Sequence, residues 1–185
     1  MADQGAQGLL SPFLRNRRCQ AAKPFLHGEV LDLGCGAGVL ANYISAENYL
    51  GVDTDTESLE IASAEHPEHS FQASLPMTDK KFDTVVALAV IEHVPSPKDF
   101  LITCSNYLKP SPNAKIVITT PHPSIEKIHY LGSFVGLFSR HANEEHEELL
   151  DYARLLSISQ IDGLSLNHYE RFLCGGNQLA VFSKI

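Results

Sequence analysis

The chain has no tryptophan, two methionines and four cysteines in 185 residues. The cysteines, Cys19, Cys35, Cys104 and Cys174, are scattered and form no Cys-x-x-Cys pair. That spacing excludes a zinc knuckle or a dense disulfide framework and fits a reduced, cytoplasmic setting. No apolar run approaches the ~18 residues of a membrane-spanning helix. The start, Met1-Ala2-Asp3-Gln4-Gly5, lacks a basic segment followed by an apolar one, so no secretion signal is expected. Basic residues are also too few for a dedicated nucleic-acid binder. Lys and Arg total 14 against 22 Asp and Glu, a net charge of -8.

What is present is an apolar content of 44%, enough for a core in a chain of single-domain length. The charge is uneven. Arg15, Arg17, Arg18 and Lys23 gather early, and Glu144, Glu145, Glu147 and Glu148 gather late. The basic group reads as a solvated helix face, with an anionic substrate or a weak membrane-surface contact as the alternative.

The organising stretch is Val30-Leu31-Asp32-Leu33-Gly34-Cys35-Gly36-Ala37-Gly38. A short buried strand breaks into a glycine turn, and apolar residues resume at helical spacing from Val39. A second apolar run, Tyr49 to Val52, ends in Asp53, at the distance from which a carboxylate reaches a ribose. A dinucleotide loop would space its glycines as Gly-x-Gly-x-x-Gly; here Gly34, Gly36 and Gly38 alternate more tightly.

Along the chain, residues 1–10 read as a tail and Ser11-Pro12 opens a helix to about Ala22. Thr54 and Glu57 have capping-box spacing ahead of a helix to about Glu65. Residues 70–73 form a short strand, 82–90 a strand buried on both faces, and 115–119 another. Ser96-Pro97 caps the helix between the last two. Residues 121–146 are proline-led, apolar and irregular, and read as a lid or acceptor insert, with an ordinary packed helix as the alternative. A helix begins near Asn143, and residues 164–173 and 178–182 form a terminal hairpin. The expected architecture is α/β: a mostly parallel sheet of seven strands or fewer, helices on both faces and an antiparallel C-terminal hairpin. Residues 1–24 are taken as tail and helix, and 25–185 as the ligand-binding domain.

These motifs resemble class I S-adenosylmethionine-dependent methyltransferases, a Rossmann-like fold, in the type 11 group that includes ubiquinone-biosynthesis-like enzymes. The resemblance rests on Leu31 to Gly38, Gly51-Val52-Asp53, Leu75-Pro76, Phe82 to Val86, Ile91-Glu92-His93-Val94 and Leu108-Lys109-Pro110. It covers residues 29–120. It departs where the group's Pro-Gly-Gly stands as Pro110-Ser111-Pro112, and where no Asp stands at Ala73 or Ser74. The resemblance implies S-adenosylmethionine as methyl donor, with Asp32, Gly34, Cys35, Gly36 and Gly38 around its methionine end. It places Asp53 on the ribose hydroxyls, Thr54, Ala73 and Ser74 by the adenine, and Leu88 and Ala89 by the methionine moiety.

A base is required only if the acceptor must lose a proton early, and histidine is the side chain best tuned for that at neutral pH. The candidates are His93, His122 and His146. His141 and His146 stand five apart rather than four, so no helical metal pair is expected. The expected activity is methyl transfer to a small-molecule acceptor, with O-methylation preferred. A lipid-linked acceptor and a non-catalytic cofactor-binding partner protein are the rivals. Neither the acceptor nor the oligomeric state is legible.

Overall fold

The structure is a computed structural model that describes residues 11–77, 79–124, 150–160 and 163–184. Its centre is a seven-stranded sheet: β1 (Val30–Leu33), β2 (Tyr49–Val52), β3 (Ser70–Gln72), β4 (Thr84–Leu88), β5 (Lys115–Pro121), β6 (Leu164–Phe172) and β7 (Asn177–Lys184). The order is β3-β2-β1-β4-β5-β7-β6. The first five strands are parallel, and β7 runs antiparallel to both β5 and β6. The expected architecture and terminal hairpin are what the chain adopts. Residues Leu173, Cys174 and Gly175 turn that hairpin with three successive positive φ values of 51°, 54° and 82°.

The sheet separates two apolar layers because alternate residues of each strand face opposite sides. Leu31, Val85, Ile116, Ile118 and Phe182 pack under α3 (Pro97–Tyr107) and α4 (Tyr152–Ser159). Val30, Val86, Val117 and Leu179 pack against Cys19 and Ala22 of α1 (Ser11–Ala22). Burial on both sides explains why β1, β2 and the body of β4 read as near-continuous apolar runs.

Two local expectations are corrected. The helix predicted after Gly38 is a 3-10 turn, Val39–Tyr43, followed by a second, Ala46–Asn48. Residues 34–48, the glycine loop included, connect β1 to the parallel strand beside it, which leaves 39–48 for the return. A 3-10 turn rises ~2.0 Å per residue against ~1.5 Å in an α-helix, so it covers that return with fewer residues. The helix α2 (Thr56–Glu65) is capped by Asp55, whose carboxylate accepts the Glu57 N–H at 3.2 Å and the Ser58 hydroxyl at 2.7 Å, not by Thr54. The later helix starts at Tyr152 with Asp151 as its cap, accepting the Arg154 N–H at 2.8 Å. The proposed start near Asn143 lies outside the described residues, as does residue 125–146 of the predicted insert. The Ser96 cap is present as expected, its hydroxyl accepting the Asp99 N–H at 3.3 Å.

Candidate functional site

Strand order reverses direction between β1 and β4, and in open α/β sheets ligands bind in the crevice at that point, beyond the carboxyl ends of the strands. The chain leaving β1 enters the glycine loop there. Gly34, Gly36 and Gly38 hold φ values of 70°, 50° and 74°, a region side chains disfavour. A Cβ on Gly34 would lie 2.4 Å from Val90 Cγ2, so the turn that follows β4 closes directly onto the loop. A Cβ on Gly36 would meet nothing within 4 Å; that backbone faces open space.

A cavity of about 90 Å³ opens beside the loop. Of the predicted set, Asp32, Gly34, Cys35, Gly36 and Leu88 line it. Asp53 joins through hydrogen bonds. Its Oδ2 accepts the Gly36 N–H at 2.8 Å and its Oδ1 the Asp55 N–H at 2.9 Å, which locks the end of β2 to the loop. Ala89 ends β4 in a left-handed conformation, φ 59°, and donates its N–H to Thr119 at 2.8 Å. Thr54, Ala73 and Ser74 stand exposed at the ends of β2 and β3, outside the cavity lining.

Asp32 is buried to 2% exposure on the α1 side of the sheet. Burial pushes its carboxyl up to about 7, against the pull of the Tyr49 hydroxyl, which donates to Oδ2 at 2.7 Å; the charge of Asp53 adds to the rise. Burial also pushes the Cys19 thiol up to about 12 and the Cys35 thiol higher still, so neither is a nucleophile at neutral pH.

Six lining residues were not among those predicted; Cys19, Ala37, Val39 and Leu40 are small or apolar, and the other two carry charge. Arg15 and Arg18, on α1, line the cavity, while Arg17 and Lys23 of the same cluster are exposed. Arg18 is half-buried, its Nε donating to Asn177 Oδ1 at 3.0 Å, and burial lowers its affinity for the proton. The cluster is therefore not uniformly a solvated face. Helical spacing held the signal: Arg15 and Arg18 stand three apart and next to buried Cys19, on the side of α1 that meets the sheet.

Two of the three candidate histidines, His93 and His122, lie among the described residues. His146 lies outside the described residues. His93 is exposed in the turn after β4. His122, at the end of β5, belongs to a knot at the hairpin turn. Its backbone N–H donates to Gly176 at 3.0 Å, and its Nδ1 accepts the Ser124 N–H at 3.1 Å. Arg171 Nη2 donates to Ser124 Oγ at 2.6 Å. Burial, and then the Arg171 charge, lower the His122 pKa. With Nδ1 accepting, the neutral ring carries its proton on Nε2, which offers a donor rather than a base. Among the described residues no group of His, Cys, Asp and Glu is placed to hold a metal ion, and no helix is long and apolar enough to cross a membrane.

A family model described as a methyltransferase domain matches residues 7–161. A curated ubiquinone biosynthesis O-methyltransferase of Roseobacter denitrificans is 32% identical over 106 residues, 51% of this chain and 42% of that protein. One of the same name from Rickettsia felis is 28% identical over 142 residues, 72% of this chain and 56% of that protein. The chain spans about half the length of the curated relatives it matches. In fold it is similar to the PH0226 protein of Pyrococcus horikoshii (TM-score 0.71, 16% identity, 92% of each chain). It is also similar to magnesium protoporphyrin IX methyltransferase of Synechocystis with bound SAH (TM-score 0.65, 15% identity, 94% of this chain and 83% of that one). With more than two thirds of its length matched by that family model, and with the glycine loop and Asp53 within the match, the chain belongs to the methyltransferase-domain family, on its class I Rossmann-like fold.

Proposed function

We propose that the protein is an S-adenosylmethionine-dependent methyltransferase that methylates a hydroxyl group of a small molecule. One observation carries the reading: the switch-point cavity presents a buried carboxylate, Asp32, and two guanidinium side chains, Arg15 and Arg18, beside an open glycine backbone. Both charge signs in one small cavity suit a zwitterionic amino-acid end, with Asp32 toward its ammonium and the arginines toward its carboxylate. The cavity volume, about 90 Å³, is below the ~300–1,000 Å³ of a typical ligand pocket. It suits the amino-acid end, with the rest of the nucleoside along the open surface by Asp53, Thr54, Ala73 and Ser74. The relatives named as O-methyltransferases support transfer to oxygen.

When bound, the donor supplies a methyl group activated on a sulfonium; the chain's contribution is orientation. Asp53 would hold the ribose hydroxyls with the lone pairs that Gly36 and Asp55 leave free. The Gly36 backbone, with no side chain above it, lets the ligand approach. Leu88 would lie against the methionine chain. The four cysteines are free thiols, which agrees with a reducing compartment such as the cytoplasm.

Calorimetric titration with S-adenosylhomocysteine tests the reading. The protein binds it, and Asp53→Ala weakens binding by about 1.5–3 kcal/mol through loss of charge-assisted hydrogen bonds. Unchanged affinity in that variant sinks the ribose assignment. Absence of binding by the wild type sinks the methyltransferase reading.

A further inference from the structure

At the level where the sheet meets the crevice its interior turns from apolar to polar. On β5, Ile116, Val117 and Ile118 give way to Thr119 and Thr120; on β7, Leu179 and Ala180 are preceded by Asn177 and Gln178. All four polar residues are buried, at 2% exposure or less. Gln178 is satisfied: its amide donates to the Pro121 and Leu150 carbonyls, and its Oε1 accepts the Tyr169 hydroxyl. Asn177 receives Arg18.

Glu92 lies over this floor, in the 3-10 turn Ile91–His93 that follows β4. It is 6% exposed, and its Oε2 is shut from solvent without a hydrogen-bond partner among the described residues. The Thr120 hydroxyl lies beside the carboxylate but outside hydrogen-bond geometry, and the Thr119 hydroxyl is also unpartnered. A carboxylate oxygen buried with no donor is costly and rare in native proteins, which marks a place for a donor from outside the fold. The place has a direction. The turn carrying Glu92 abuts the glycine loop through Val90 and Gly34, and Arg18, whose charge Glu92 feels, lines the cavity by Asp32. Glu92 thus stands across Arg18 from the cavity assigned to the methyl donor.

We infer that Glu92 is a catalytic residue, the carboxylate that receives the hydroxyl of the methyl acceptor and takes its proton. The inference rests on the methyl-transfer reading above. The acceptor O–H donates to Oε2. As the acceptor oxygen forms its bond to the methyl carbon, the carbon–sulfur bond breaks with its electron pair remaining on sulfur, and the acceptor's proton passes to Oε2. Charge balances, since a sulfonium and a carboxylate give a neutral thioether and a neutral acid. Burial raises the proton affinity of Glu92, which strengthens it as a base; its own backbone N–H, then the Thr120 hydroxyl from β5, His93 from its own turn and Arg18 from α1 act the other way.

The test uses 4-nitrophenol, a hydroxyl probe whose neutral and ionised forms absorb differently, titrated with pH against protein saturated with S-adenosylhomocysteine. Beside the Glu92 carboxylate a second negative charge is disfavoured. The bound probe therefore ionises about one pH unit or more above the free probe, and Glu92→Gln removes that displacement while Glu92→Asp keeps most of it. A probe that ionises at its free value when bound to the wild type overturns the assignment. So does a displacement that survives in Glu92→Gln, or no saturable uptake of the probe. Calorimetry with S-adenosylhomocysteine on each variant separates the two levels. Failure there removes the methyl-transfer reading, whereas normal binding with an unresponsive probe removes only the role of Glu92.

Discussion

Asp32→Asn makes the protein more stable at neutral pH and abolishes a proton release that accompanies ligand binding. Asp32 is buried to 2% exposure, with a pKa of about 7 against an ordinary 3.8. A displacement of about three pH units corresponds to about 4 kcal/mol at ~1.36 kcal/mol per unit. Its sign follows from linkage. Between the ordinary value and about 7 the native state keeps a proton that the unfolded chain has lost. Stability therefore falls as pH rises through that window and is fully reduced above it. Asparagine has no charge to desolvate, and its carbonyl can still accept the Tyr49 hydroxyl that now donates to Asp32 at 2.7 Å. Urea unfolding from about pH 4 to pH 8 should show the wild type losing stability relative to Asp32→Asn, with the gap largest at the upper end. A variant that is less stable than the wild type at pH 8 contradicts this. Binding supplies an independent measure. A cationic ligand group in the cavity favours the carboxylate form, so at pH 7 the wild type releases part of a proton on binding S-adenosylhomocysteine. The observed heat then depends on the buffer's ionisation enthalpy in the wild type and not in Asp32→Asn. Retaining a carboxylate that weakens the fold is expected where the charge serves the site.

The positions of Asp32 and Tyr49 also mark how far sequence reading reaches. The strands were legible because both faces of β1, β4 and β5 are covered, so their apolar runs are continuous. The glycine loop and Asp53 were legible because the turn requires residues without a Cβ and the acid stands at a fixed distance along the chain. Tyr49 was not, since its role depends on the parallel register that sets Val30 opposite Tyr49 and so brings the phenol to Asp32, two residues on and on the same face. Arg15 and Arg18 were read as solvated because their place in the cavity follows from α1 crossing the strand ends, a contact between parts of the chain far apart in sequence. The cap of α2 was misassigned between two adjacent oxygen-bearing residues, Thr54 and Asp55, that satisfy the same local rule. Glu92 stands in the Ile91-Glu92-His93-Val94 motif beside His93, the residue type best tuned for proton transfer at neutral pH. The unpartnered oxygen of Glu92 is a property of burial, which spacing does not encode.

Gly34→Ala, a change of one methyl group, forces the two walls of the crevice apart and destabilises the fold by about 2–5 kcal/mol. Two separable costs make up that range. The position holds φ 70°, which costs a side-chain-bearing residue about 1–2 kcal/mol. The added Cβ would lie 2.4 Å from Val90 Cγ2, and overpacking of this kind costs about 1–3 kcal/mol. Val90 yields poorly, because a β-branched side chain has little freedom about χ1 and its backbone follows Ala89, itself held at φ 59°. Relief must then come from moving the turn that carries Ile91 and Glu92 away from the loop, which displaces both sides of the crevice together. The double variant Gly34→Ala/Val90→Ala distinguishes the two costs. Removing the Val90 methyls returns the overpacking part and leaves the backbone part, so the double variant should be more stable than Gly34→Ala alone, although Val90→Ala by itself gains nothing. Denaturant midpoints for the four proteins give the coupling, expected at about 1–3 kcal/mol. Additive effects would mean that the loop and the turn after β4 move independently. The walls of the crevice would then not be fixed by their contact, and Glu92 would have no fixed position relative to the donor cavity.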